Sequence, residues 1–316
     1  SAIKLRTEYG ILLSDDVETW SNEDAYRLYK MFTNLPYHAY GEGNRVDYSN
    51  GDNVRGVFYL SNDEIFEDIS IETINGIRHA TVSQSAFTYA EPQIVTLDGI
   101  RGKFFSKRLY HAVVNFFTDF ARDDEAVEVL ARERFGIRFM KSDQDTEDLM
   151  GEDSSNFQEF FNSEKLEILA MFEELPEGCQ KQEGLKYLVR RINGQPNPIY
   201  PTAAAIAWTG LNTIEFMGSA FNTYDIDYIR RLILHEKAHF LWEYTFDNSI
   251  KDEWIDIGGW FRDPTSGTGW STYNTTEFVS SYSHDKNPNE DMAESIAIYL
   301  TNPDRLMNVS MRKFEF

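Results

Sequence analysis

Two histidines stand four apart in His235-Glu236-Lys237-Ala238-His239, the strongest chemical signal in the chain. On a helix, residues four apart lie one turn above each other, so both imidazoles project from one face and can each give a nitrogen to a single ion. Glu236 then points beside the ion rather than at it, where its carboxylate can take a proton from water activated there. This spacing of His, Glu and His serves zinc-dependent peptide hydrolysis. With six histidines in 316 residues, the pattern arises by accident in roughly one chain in a hundred, if residues are treated as independent. The bland alternative is a helix with surface His and Glu.

A catalytic zinc takes three protein ligands and keeps one position open for water, so a third ligand is expected on another element. The run Asn287-Pro288-Asn289-Glu290-Asp291-Met292-Ala293-Glu294 opens with a proline and an acidic first turn, and positions 292, 293, 296, 297 and 300 form an apolar stripe. It reads as a helix start. Glu290 is expected to bind the zinc, and Glu294, one turn on, to accept from the free ring nitrogen of a ligand histidine. Acidic capping of the helix alone would also explain these carboxylates. Tyr282 could donate its phenol proton to the oxyanion of a tetrahedral intermediate, or simply pack. His284, in a polar stretch, reads as a surface histidine rather than an alternative ligand. Trp260 and Trp270 could line a substrate cleft or fill core.

The element carrying the histidines must be long and unbroken. Residues 225–246 contain no Gly or Pro and show a helical apolar pattern, which predicts one helix. Short β-prone runs at 57–60, 69–71, 94–97 and 205–208 are bounded by Gly, Asn, Asp or Pro, so the chain is expected to be α+β. The two halves also resemble each other. Residues 20–36 match 160–176 at an offset of 140, both ending in Leu-Pro, and Ser85-Ala86-Phe87 echoes Ser219-Ala220-Phe221. Residues 109–117 can be laid on 233–241, which puts Ala112 and Asn115 where Glu236 and His239 stand. A duplication whose first copy has lost the metal chemistry is expected from these matches, and chance similarity between amphipathic helices is the alternative. The acidic stretch 143–156 reads as a linker, which places the domain boundary near residue 150.

An apolar content of 41% with 26% charged residues is that of a folded globular protein, and no apolar run approaches the length of a membrane helix. The net charge of -22 would repel phosphate backbones and anionic lipid, which makes nucleic acid and membrane surfaces poor partners and a basic peptide a better one; the bland alternative is a solvated surface that keeps the protein in solution. Cys179 is alone, so no intrachain disulfide forms, and no base-and-orienter pattern accompanies it. The first residues show no signal peptide and no initiator Met, as in a mature or trimmed chain.

On these residues the second half resembles the zincin peptidases of the gluzincin type, in which a helix bearing His-Glu-x-x-His is followed by a helix bearing a Glu ligand. It is similar in particular to the anthrax lethal factor family, with its Pro-Pro endopeptidase relatives. There the third ligand opens a Glu-x-x-Ala-Glu stretch, matched by Glu290-Asp291-Met292-Ala293-Glu294, and a preceding tyrosine assists catalysis, matched by Tyr282 one residue farther away than in the family. The resemblance implies an α+β chain of two related zincin-like domains, residues 1–150 degenerate and without the metal motif, residues 151–316 catalytic. It further implies one zinc ion on His235, His239 and Glu290, with Glu236 and Tyr282 catalytic and Glu294 in support. The expected activity is endopeptidase cleavage of a peptide or protein in an extended cleft, and the resemblance favours a secreted or extracellular protein. A catalytically silent zincin-fold binding module and a zinc hydrolase of non-peptide amides are the rival readings.

Overall fold

The computed structural model describes the chain except residues 35–53, 64, 66–68, 88–124, 174–179 and 223–225. Two compact units emerge. The described residues of 1–91, 103–135 and 165–176 form the first, and those of 136–164 and 177–316 form the second. The units therefore do not divide at residue 150.

In the first unit, helix α1 (Ala2–Tyr9) stops at Gly10, whose φ of 70° closes the helix in a left-handed turn. Strand β1 (Ile11–Ser14), helix α2 (Asn22–Asn34) and strands β2 (Gly56–Ser61), β3 (Ile69–Ile74) and β4 (Ile77–Ser83) follow. Helix α2 buries Ala25, Leu28, Met31 and Phe32, one stripe at helical spacing. The sheet order is β1-β2-β4-β3, with β1, β2 and β4 parallel and β3 antiparallel at the edge. Asn75 and Gly76, both at positive φ (51° and 80°), make the tight β3–β4 turn that such φ values permit. Later in the unit, helix α3 (Glu125–Leu130) ends in a π turn at Ala131–Phe135.

The second unit opens with β5 (Arg138–Phe139), α4 (Gln144–Met150) and β6 (Phe157–Gln158). The stretch 143–156 is thus ordered structure and not a linker, because its acidic residues have local work. Asp143 caps α4 by accepting from the Thr146 amide, Asp153 accepts from the Ser155 amide, and Glu152 pairs with Arg191 at 2.9 Å. Helix α5 (Asn162–Glu173) follows. Strands β7 (Tyr187–Arg191), β8 (Ala205–Trp208) and β9 (Thr213–Phe216) complete a sheet of order β5-β7-β9-β8, and β6 also pairs β7. Strands β5, β7 and β9 are parallel, and β8 is the antiparallel edge.

With β6 set aside, both sheets thus share one connectivity, in which the third of four strands lies outermost and antiparallel to the fourth. The paired segments also correspond locally: α2 and α5 start at Asn22 and Asn162, and Gln84–Phe87 and Gly218–Ala220 are both 3₁₀ turns just after the fourth strand. The expected strands at 57–60, 69–71 and 205–208 are found within β2, β3 and β8. The run 94–97, Ala112, Asn115 and Cys179 lie outside the described residues.

After the sheet come helix α6 (Ile226–Phe240), a π turn (Leu241–Thr245), helix α7 (Asn248–Ile257) and the hairpin β10 (Trp260–Arg262) with β11 (Trp270–Thr272). Helices α8 (Ser281–Asp285), α9 (Pro288–Thr301), α10 (Pro303–Val309) and α11 (Met311–Glu315) end the chain. The helix expected over 225–246 is therefore an α-helix whose last turn widens to π. Helix α6 packs against both α9 and β8, which brings the two ligand-bearing helices and the sheet edge together. No described helix is long and apolar enough to cross a membrane.

Candidate metal centre

Helix α6 presents His235 and His239 from one face, and both are largely buried (8% and 9% exposed). Helix α9 is started by Asn287, whose side chain accepts from the amides of Asn289 (3.0 Å) and Glu290 (3.1 Å), with Pro288 in its first turn. That cap fixes Glu290 in the first turn, facing α6. The apolar stripe of α9 is close to the expected one: Met292, Ala293, Ala297 and Ile298 are buried, whereas Ile296 and Leu300 are half-buried.

Three donor atoms converge. His235 Nε2 lies 3.2 Å from His239 Nε2 and 3.2 Å from Glu290 Oε2, and His239 Nε2 lies 3.6 Å from the same oxygen. Tetrahedral ligands about 2.05 Å from a zinc ion stand roughly 3.3 Å apart, so these spacings suit one such ion. Among the described residues, His235, His239 and Glu290 are the only cluster of this kind.

The outer contacts decide which nitrogens are basic. His239 Nδ1 lies 3.0 Å from Asn289 Oδ1, an acceptor, and His235 Nδ1 lies 3.0 Å from Glu294 Oε1. His239 Nδ1 therefore carries the proton and its Nε2 presents a lone pair, while the Glu294 carboxylate, close to His235 Nδ1 but without hydrogen-bond alignment, favours the same tautomer there through its charge. Glu290 Oε2 is buried with no hydrogen-bond donor of its own. Two lone pairs and a carboxylate oxygen aimed at one point repel unless a cation sits among them. The donor set fits a divalent metal. Without one the cluster seeks a proton: burial alone would lower the His235 pKa, but Glu290 and Glu294 push it up to about 10. For Glu290, burial favours the neutral acid, yet the two histidines hold its pKa below the usual carboxylate range.

Glu294, half-buried, also accepts from Ser280 Oγ at 2.8 Å, so its orientation is fixed from the side away from His235. Asn289 is a partner that sequence reasoning missed, since an Asn in a first helical turn looks like a cap. Replacing it tests the tautomer argument: Asn289→Ala should weaken zinc affinity about 10- to 100-fold in a competition titration with a chromogenic chelator. Unchanged affinity would mean that Asn289 does not set the His239 tautomer.

Glu236 is 6% exposed and lies on the cavity wall beside the cluster. Burial raises its pKa; the neighbouring histidines and the Ala207 backbone amide, which donates to the carboxylate from β8, pull the other way. Tyr282, 46% exposed, lines the same cavity with its ring 6.2 Å from that of His235, and partial burial together with Glu290, Glu236 and Glu294 pushes its pKa above the usual phenol value, so it keeps its proton. The cavity has a volume of about 1110 Å³ and reaches from the cluster along β8, past Tyr200 and Trp208.

His284 stays apart from the cluster, 2.6 Å from Asp285 and edge-on to Phe278. Neither Trp260 nor Trp270 lines the cavity. Trp260 is buried and donates to Asp291 at 3.2 Å, and Trp270 lies 3.9 Å beneath the Arg262 guanidinium. The aromatic wall comes instead from Trp208, whose indole N–H is held by the buried Glu215 at 2.8 Å. Comparison with protein-family models, curated proteins and solved structures finds no match for the chain.

Proposed function

We propose that the protein is a zinc-dependent endopeptidase, with zinc held by His235, His239 and Glu290. The observation that carries this reading is the convergence of two imidazole nitrogens and one carboxylate oxygen, with a second, buried carboxylate, Glu236, alongside. A two-His, one-Glu set matches the open catalytic zinc site. Bound zinc would polarise the scissile carbonyl and lower the pKa of the attacking water.

Glu236 accepts the proton of that water and returns it to the leaving amine; its burial, which raises its affinity for a proton, suits both halves of that task. Tyr282, kept protonated, donates to the oxyanion of the tetrahedral intermediate. Glu294 and Asn289 hold the two imidazoles in register. Strand β8 favours a peptide over a non-peptide amide. It is the sheet edge and lines the cavity, so an extended chain can lie along it and add a strand. The shared connectivity of the two sheets supports two related zincin-like domains, and the loss of metal chemistry from the first rests on Ala112 and Asn115 of the sequence alone.

The reading is tested by removing the metal. A diverse peptide library should be cut by the protein as prepared with zinc, left intact after treatment with a strong chelator, and cut at the same bonds once zinc is returned. Cleavage that persists in the metal-free protein would exclude the mechanism.

A further inference from the structure

The charged residues of the cavity divide in an unexpected way. Its carboxylates are Glu236, Glu290 and Glu294, and all three face the histidines. Its other charged side chains are cations: Arg231, Lys286 and Arg305. Acidic residues outnumber basic ones 52 to 30 in this chain, yet none of these three forms an ion pair among the described residues.

Their placement brackets the cluster. Arg231 lies one turn before His235 on the same face of α6, close enough to Glu294 to help keep it ionised. The Lys286 ammonium sits 5.2 Å from the centre of the Tyr282 ring, four residues before Glu290. Arg305, on α10, is anchored by donating to the Val279 carbonyl. The three cations offset the three carboxylates, so a divalent ion leaves its two positive charges uncompensated within the cavity.

We infer that the substrate is a peptide carrying a carboxylate close to the scissile bond, bound by Arg231, Lys286 and Arg305. The inference rests on the peptidase reading and adds the substrate class. It reverses the preference for basic peptides that the net charge of -22 suggests. Charges are screened beyond about 8 Å at physiological salt, so a bound peptide responds to the cavity wall and not to the distant surface. Low-dielectric walls further focus the local positive field. The carboxylate can come from an Asp or Glu side chain or from a free C-terminus.

The experiment uses the zinc-loaded full chain and peptide pairs identical except for Asp or Glu against Asn or Gln near the cut, each with a free or an amidated C-terminus. The wild type should prefer the acidic member roughly fivefold or more in kcat/KM at low salt, and the ratio should shrink as NaCl is added. Lys286→Glu and Arg231→Glu should each move the ratio toward one or below. Because the ratio is internal to each variant, partial loss of folding does not mimic the effect. Loss of preference on amidation, with side-chain acidity immaterial, would identify the C-terminus as the source.

A wild-type ratio of one with both carboxylate sources, or a ratio unchanged in both variants, would overturn the inference. If the wild type cuts nothing, binding of the same peptides, labelled with a fluorophore, to Glu236→Gln decides. Salt-sensitive selection of the acidic member would then uphold the anionic site while the peptidase reading fails, and absence of binding would sink both.

Discussion

Glu236→Gln is expected to purify with the wild-type content of zinc and to lose about three orders of magnitude in kcat, as removal of a general base does. Glu236 is not one of the three converging atoms, so its loss leaves the ligand set whole, while the amide can neither take nor return a proton. Gln also retains an oxygen able to accept from the Ala207 amide, so the local geometry survives. Glu290→Ala supplies the contrast. It removes the only carboxylate among the three donors and should lose zinc and activity together. Metal analysis beside initial rates separates the two: zinc-loaded Glu236→Gln with wild-type turnover would contradict the base assignment, and zinc-loaded, active Glu290→Ala would contradict the ligand assignment.

Lys313→Met is expected to destabilise the second unit by about 3–5 kcal/mol, the cost of leaving a buried charge unpaired. Lys313 on α11 meets Asp291 on α9 at 2.7 Å with both side chains 0% exposed, and its ammonium lies 3.8 Å from the centre of the Phe278 ring. Burial pushes the Asp291 pKa up from 3.8 to about 6, against the pull of Lys313 and the Trp260 N–H. Removing Lys313 removes the main opposing influence and raises that pKa further. A raised carboxyl pKa means that the folded state holds the proton longer, so the stability tied to it is present at low pH and lost as pH rises through the folded value. The deficit of Lys313→Met should therefore be larger at pH 8 than at pH 5. The double variant Asp291→Asn/Lys313→Met should recover most of it, because no buried charge remains. Thermal unfolding at the two pH values checks both points; an equal deficit at both, or a double variant as unstable as the single one, would refute the account.

The parts of the site legible in the sequence are those written at short range. His235 and His239 follow the helical period, and Asn287-Pro288 marks the start of the helix that carries Glu290 and Glu294. Strands β2, β3 and β8 lie where β-prone residues stand between turn formers. Strand β7 was hidden because Tyr187-Leu188-Val189-Arg190-Arg191 ends in two arginines, which do not read as sheet interior. Both are almost fully buried, since Arg190 pairs with Glu164 and Arg191 with Glu215 across 26 and 24 residues. The stretch 143–156 misled in the same way, its charges serving as caps and as a partner for Arg191. Asn289 and Trp208 acquire their roles from His239, 50 residues away, and from Glu215 on the neighbouring strand. Such partnerships arise only when the chain folds, and no local pattern encodes them.

The most direct measurement of the central claim is digestion of one peptide library by wild type and Glu236→Gln side by side in zinc-containing buffer, with the products read by mass spectrometry. Cuts by the wild type alone are expected, at bonds that define its preference, with both proteins holding one zinc. Equal cutting by both proteins, or none by a fully zinc-loaded wild type, would contradict that claim.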